Sequence, residues 1–203
     1  MVIDEVDGDY EVRLEDAYIP RLHISPHYRR MLAEEGQNPK VREFIKKKIE
    51  SAKWLIESIE QRQSTLLRIV REIVSVQRAF FDFGLEHLKP LKMQQVADRV
   101  RVHVSTVSRA LSDKYVQTPR GIYPLKFFFT GGTVSSDGTM ESTVSIKQKV
   151  KDIVQREDKQ HPLSDEEIAR ILKDELGLDI ARRTITKYRK QLLIPSSRQR
   201  REY

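Results

Sequence analysis

Two adjacent arginines open a stretch of chain in which nothing opposes them. Arg182 and Arg183 precede Lys187, Arg189 and Lys190, then Arg198, Arg200 and Arg201, and no Asp or Glu falls between residues 180 and 201. A guanidinium is a planar fork of N–H donors that matches the O6 and N7 acceptors of guanine in a major groove. Hydroxyls, ammonium groups and further guanidinium groups suit phosphate oxygens, which hold register without reading sequence. The chemistry on offer is recognition of a polyanion that carries a base code. Arg182 and Arg183 are the candidate base readers. Thr184, Thr186, Lys187, Arg189, Lys190, Arg198, Arg200 and Arg201 are candidates for phosphate or flanking contacts. The plain alternative is a solvated basic helix, which the absence of any acid in the run disfavours.

A second set lies in Met93–Leu111. Ala97 is a small residue where two crossing helices need one, and Val107 follows at the spacing expected of the anchor in the second helix. At helical periodicity Val104, Val107, Ala110 and Leu111 share one side, while Ser105, Arg109 and Ser112 share the other. That arrangement predicts a helix-turn-helix with Arg109 as base reader. Ser105, Ser108 and Ser112, with Arg120 in the turn beyond, are candidates for phosphate or flanking contacts. Arg101 stands in the turn, where glycine would be easier. An ordinary helical hairpin with an exposed arginine is the competing reading.

These side chains need elements to hold them. Residues 40–83 contain neither Gly nor Pro. Ile45, Ile49, Ala52, Ile56, Ile59, Gln63, Leu66, Val70, Ile73, Gln77 and Phe80 recur at steps of three and four. Leu55, Leu67, Val74 and Phe81 widen the stripe. The pattern predicts a long amphipathic helix, either continuous or restarted at Ser64-Thr65, and ended near Gly84. Tyr115–Phe129 reads as a small wing turning at Pro119-Arg120-Gly121. Residues 131–142, GGTVSSDGTMES, read as a flexible linker. Ser164 with Glu167 is a capping box opening one helix, and Ala181–Leu193 forms the next, stopped by Pro195. Tyr10–Leu14 alternates like a short strand. The expected fold is mainly α: a long amphipathic helix, a helix-turn-helix with a small wing, and a separate three-helix C-terminal DNA-binding domain.

The whole chain agrees. Its 203 residues are 38% hydrophobic and 33% charged, with net charge +7, which suits several small cores and an anionic partner. The charge is polarised. Asp4, Glu5, Asp7, Asp9, Glu11, Glu15 and Asp16 crowd one end, with Arg13 the single base among them. No stretch reaches the ~18 apolar residues of a membrane span, and no secretion signal is legible. The chain has no cysteine, which removes disulfides, thiol catalysis and Cys-ligated zinc, and fits a cytoplasmic location; the nucleoid association expected of it follows from the resemblance given below. The histidines show no metal-ligand spacing, and no cofactor, metal or catalytic residue is expected. His27, Arg30 and Tyr188 match the parts list of a tyrosine recombinase only by residue type.

Ala181-Arg182-Arg183-Thr184-Ile185-Thr186-Lys187-Tyr188-Arg189 closely resembles the RpoN box, the signature of the sigma-54 family of bacterial transcription initiation factors. The resemblance extends through Leu193–Arg200 and Pro162–Asp165. It also takes in Ser105–Arg109, Pro119-Arg120-Gly121 and Ala52–Ile56, and so covers nearly the whole chain. Ile185 and Lys190 stand where Val and Glu are usual. The resemblance implies that Arg182 and Arg183 read the upstream GG element of a promoter and Arg109 the downstream GC element. It implies residues 1–64 as the C-terminal part of the core RNA polymerase-binding region with the start of the long helix, and 65–130 as the rest of that helix with the helix-turn-helix. It makes 131–142 a linker and 143–203 the RpoN domain. The implied partners are double-stranded promoter DNA, core RNA polymerase and, for a full-length protein, an AAA+ activator that remodels a closed complex. The family's Gln/Leu-rich activator-facing region is not legible in these residues. The alternative is a dimeric helix-turn-helix repressor whose coiled-coil seam is the long stripe. Gln63 and Gln77 on that seam, and its width, argue against it.

Overall fold

The computed structural model describes residues 1–15, 22–33, 38–134 and 140–202. It opens with a hairpin, β1 (Val2–Val6) and β2 (Asp9–Arg13), turned by Asp7 and Gly8 at φ 52° and 82°. Two positive φ values in a two-residue loop suit the twist of the flanking strands, and Asp-Gly supplies them. A short helix, α1 (Pro26–Ala33), packs on the next element, α2 (Pro39–Val76).

Helix α2 is continuous through Ser64-Thr65 and, at 38 residues, extends about 57 Å. Asn38 caps it by accepting from Lys40 N at 3.0 Å, and Pro39 occupies the first turn, where a missing N–H is harmless. The helix stops sooner than the Gly- and Pro-free run suggests. Gln77 leaves helical geometry at φ −97°, ψ 19°, and α3 (Arg78–Phe83) restarts the chain in a short helix ended by Gly84. The physical cause is a buried polar side chain. Gln77 is fully buried, donates from Nε2 to Lys89 O (2.8 Å) and Phe128 O (3.2 Å), and accepts from Lys89 N (2.9 Å).

Beyond a 3₁₀ turn at Leu85–His87 come α4 (Met93–Val100) and α5 (Val104–Leu111), then the wing, β3 (Tyr115–Thr118) and β4 (Gly121–Pro124). The wing does not stand alone. β1 pairs in parallel with β3, giving a four-stranded sheet in the order β2-β1-β3-β4. Ile3 and Val12 thereby join a core with Ile69, Val70, Ile73, Phe80, Ala97, Val107, Leu111 and Phe128. The C-terminal half of the α2 stripe is buried within its own chain, so that half offers no coiled-coil seam to a second copy. In the N-terminal half of α2 the stripe residues Ile49, Ala52, Ile56 and Ile59 are half-buried, while Phe44, Trp54 and Leu55 beside them are 61%, 70% and 51% exposed.

The expected linker is partly structured. β5 (Gly132–Val134) and β6 (Met140–Ser142) form an antiparallel hairpin. Its tip, residues 135–139, lies outside the described residues. The C-terminal unit follows: α6 (Thr143–Arg156), α7 (Asp165–Leu176), α8 (Arg182–Gln191) and one turn, α9 (Ser197–Arg200). Ile146, Val150, Ile168, Leu172, Leu178, Ile180 and Ile185 form its separate core. No helix among the described residues is long and apolar enough to cross a membrane.

Candidate nucleic-acid interface

Both helix pairs are built as their sequences suggest. In the first, Ala97 and Val107 are fully buried where α4 meets α5. The turn places Arg101 in the left-handed region at φ 58°, and Val102 N donates to Ala97 O at 3.0 Å. His103 caps α5, its Nδ1 accepting from Ser105 N at 3.2 Å. Arg99 pairs with Glu72 at 2.5 Å and Arg68 donates to Val100 O, which fixes α4 to the long helix.

Arg109 lies on the exposed side of α5. Its side chain runs back along its own helix, donating from Nε to Ser105 O (3.2 Å) and from Nη2 to Ser105 Oγ (2.9 Å). Ser105 and Arg109 therefore act together. Ser108 and Ser112 are half-buried, and Ser112 Oγ donates to Ser108 O at 3.0 Å. Arg120 is exposed and also has partners within the chain. It donates from Nε to Phe81 O at 2.6 Å and from Nη2 to Asp82 O, tying the wing to α3.

In the second pair, Ser164 and Glu167 complete the capping box of α7, with Glu167 N donating to Ser164 Oγ at 3.2 Å and Ser164 N to Glu167 Oε2 at 2.7 Å. Gly177 ends that helix at φ 62°. Ile185 and Tyr188 turn inward, and Lys147 Nζ sits over the Tyr188 ring at 5.7 Å. Arg182, Arg183, Lys187 and Lys190 are exposed, and among the described residues none of the four forms an ion pair. Thr184 is half-buried beside them.

Arg182 and Arg183 occupy the first turn of α8, whose cap residue, Ala181, has no side chain to accept from the open N–H groups. Cations at the positive end of a helix are unfavourable by a few tenths of a kcal/mol each unless an anion is present. A phosphate or an electronegative groove edge at that end reverses the sign. The arrangement suits a ligand that is negative and carries acceptors for two guanidinium forks.

Three residues assigned to the flanks have partners within the chain. Arg189 is 8% exposed: its Nε and Nη2 meet Asp165 Oδ1 and Oδ2 at 2.7 and 3.2 Å, and Nη1 donates to Ile194 O at 2.9 Å. Thr186 Oγ1 donates to the same carboxylate at 2.8 Å. The Asp165 carboxyl is held below the ordinary carboxylate range, first by the Arg189 hydrogen bonds, against the opposing effect of burial. Arg200 grips Glu157 with Nε–Oε1 at 2.5 Å and Nη2–Oε2 at 2.8 Å, and donates to Pro195 O and Leu163 O. Sequence placed Arg189, Thr186 and Arg200 among outward contacts; their partners, Asp165 and Glu157, lie 24, 21 and 43 residues away in the chain. Arg198 remains exposed, and Arg201 Nε reaches Gln160 O at 3.2 Å.

Residues 42–202 match the family profile described as Sigma-54, DNA binding domain. The chain belongs to the sigma-54 family. It is similar to the RNA polymerase sigma-54 factor of Caulobacter vibrioides, 41% identical over 203 residues, covering 99% of this chain and 41% of that protein. The corresponding factor of Escherichia coli is 39% identical over 202 residues, covering 100% of this chain and 42% of that one. The chain thus spans about two fifths of the length of these sigma-54 factors. Among solved structures, Aquifex aeolicus sigmaN bound to promoter DNA is similar with a TM-score of 0.66 and 34% identity, over 98% of this chain and 59% of that one.

Sequence reasoning overlooked the positioning residues of this sigma-54 chain. Asp165 figures only as the end of the Pro162–Asp165 resemblance, and Glu157 not at all. Asp7-Gly8 carries a hairpin signal that went unread beside the Tyr10–Leu14 strand; the parallel pairing of β1 with the wing has none, because nothing local in the strands encodes it.

Proposed function

We propose that this chain is the promoter-reading part of a sigma-54 transcription initiation factor. α8 reads the GG element with Arg182 and Arg183, supported at phosphates by Lys187, Lys190, Thr184 and Arg198. α5 reads the GC element with Arg109, which Ser105 holds in place, while Ser108 and Ser112 shape the flank. Arg120, Thr186, Arg189 and Arg200 position these helices without touching DNA. The observation that carries the reading is the acid-free face of α8, with two unpaired arginines at a helix end that disfavours cations in the absence of an anion. Residues 1–64 contribute to core RNA polymerase binding, for which the exposed Phe44, Trp54 and Leu55 of α2 supply an apolar contact surface. Within the whole factor this part holds a closed complex until an AAA+ activator acts. The role is one of binding, not catalysis, in the bacterial cytoplasm.

The test is fluorescence anisotropy at a fixed, stated salt concentration, comparing a duplex carrying both elements with one in which GG is replaced. A marked preference for the intact duplex is expected. Equal affinity would overturn the assignment of α8.

A further inference from the structure

The two units meet across a packed joint. Val144, in the first turn of α6, packs against the first core, whereas Ile146 and Val150 of the same helix are fully buried in the second. One rigid helix therefore belongs to both cores. Ser145 is fully buried between those residues, and its Oγ lies 2.7 Å from Glu86 O of the first unit and 2.8 Å from the Glu141 carboxylate. Glu141 also pairs with Lys149 Nζ at 3.1 Å. Thr143 donates twice to Gly131 O, from N at 3.0 Å and from Oγ1 at 3.1 Å. At Gly132 there is no room for a side chain: a Cβ would overlap the Pro90 ring and lie 2.8 Å from Glu141 O.

A flexible tether needs none of these contacts. It would let each reader find its element separately, with only a weak dependence on their separation. A rigid joint makes distance and rotation matter together. One added base pair moves an element by roughly 3.4 Å and turns it by about 35° around the duplex, since one turn takes 10–10.5 bp.

We propose that Pro90, Gly132, Glu141 and Ser145 are positioning residues that fix the distance and phase between α5 and α8, so that the joint measures the spacing of the two promoter elements. This rests on the promoter-reading assignment above.

The test compares the native chain with Gly132→Val and with a variant whose residues 131–142 are replaced by Gly/Ser of equal length. Anisotropy at fixed salt is read on duplexes whose element spacing changes in single base-pair steps, and on duplexes carrying one element. The native chain should show a sharp optimum, with the roughly 10²–10⁴-fold gain from joint binding lost away from it. Both variants should keep their single-element affinities, which report that each unit is folded, yet show a flattened spacing profile. A flat profile for the native chain, or an equally sharp one for the Gly/Ser variant, would overturn the proposal. If the native chain discriminates neither element from random DNA at any spacing, the promoter-reading assignment fails and the spacing role goes with it. Nitrogen relaxation of the DNA-free protein tests the joint independently. One rotational correlation time is expected for both units in the native chain and two in the Gly/Ser variant; two in the native chain would refute a rigid joint whatever the DNA assays give.

Discussion

Arg189 and Asp165 form a two-pronged ion pair, Nε–Oδ1 2.7 Å and Nη2–Oδ2 3.2 Å, which joins α8 to the first residue of α7 beneath it. The side chains are only 10% and 16% exposed, so neither partner can be removed without leaving a largely desolvated charge. The orientation of α8, and with it that of the exposed Arg182 and Arg183, depends on this contact.

Asp165→Asn should cost about 3 kcal/mol of stability at neutral pH, since breaking a buried pair strands its partner. Because the folded-state pKa of Asp165 is depressed, its contribution is fully present above the unfolded value of about 3.9 and is lost as pH falls through the folded value. Urea unfolding monitored across pH 7 to pH 3 should therefore show a difference between native and Asp165→Asn chains that shrinks below about pH 4. A difference independent of pH would remove the electrostatic account.

Arg200 and Lys190 should behave oppositely. Arg200→Ala should destabilise the C-terminal unit by about 3 kcal/mol through the loss of the Glu157 pair, with the salt dependence of DNA binding by the folded protein unchanged. Lys190→Ala should leave stability alone, weaken binding to all sequences alike, and reduce the slope of log affinity against log salt by about one. Thermal unfolding and a salt titration of affinity together separate the two roles.

Arg183→Ala should cost about 1–3 kcal/mol on a duplex with the GG element and much less on random DNA. An equal loss on both would make Arg183 a phosphate contact.

Arg101→Gly should raise stability by about 1 kcal/mol, because a left-handed backbone is strained for any residue with a Cβ and easy for glycine. The midpoint of thermal unfolding is the readout, and a fall would show that the arginine side chain makes a stabilising contact larger than its strain.

Gln77→Leu should destabilise the first unit by about 2 kcal/mol. Leucine fills a similar volume but abandons the hydrogen bonds to Lys89 N, Lys89 O and Phe128 O in a buried site. A near-neutral result would mean that those backbone groups find water or other partners.

The sequence alone determined what is local or periodic. The three- and four-residue recurrence from Ile45 to Ile73 specified α2, Ser164 with Glu167 specified the start of α7, and the unopposed bases of α8 specified an anionic ligand. Ala97 and Val107 placed the first helix-turn-helix by spacing, and the RpoN box tied the second to a known reader. Tertiary structure decided which of those charges stay exposed and unpaired. Arg189 and Arg183 have the same functional group six positions apart, yet one is committed to Asp165 and the other is not, because the helix turns one of them toward α7. Arg200 is likewise captured by Glu157, and Gln77 breaks a Gly- and Pro-free run because backbone from Lys89 and Phe128 converges on it. The stretch 131–142 reads as a tether by composition, yet Gly132 packs against Pro90 and Val144, just beyond it, enters the neighbouring core. Side-chain pairing between distant segments depends on distances that only the folded chain sets, and no local pattern of residue types records them.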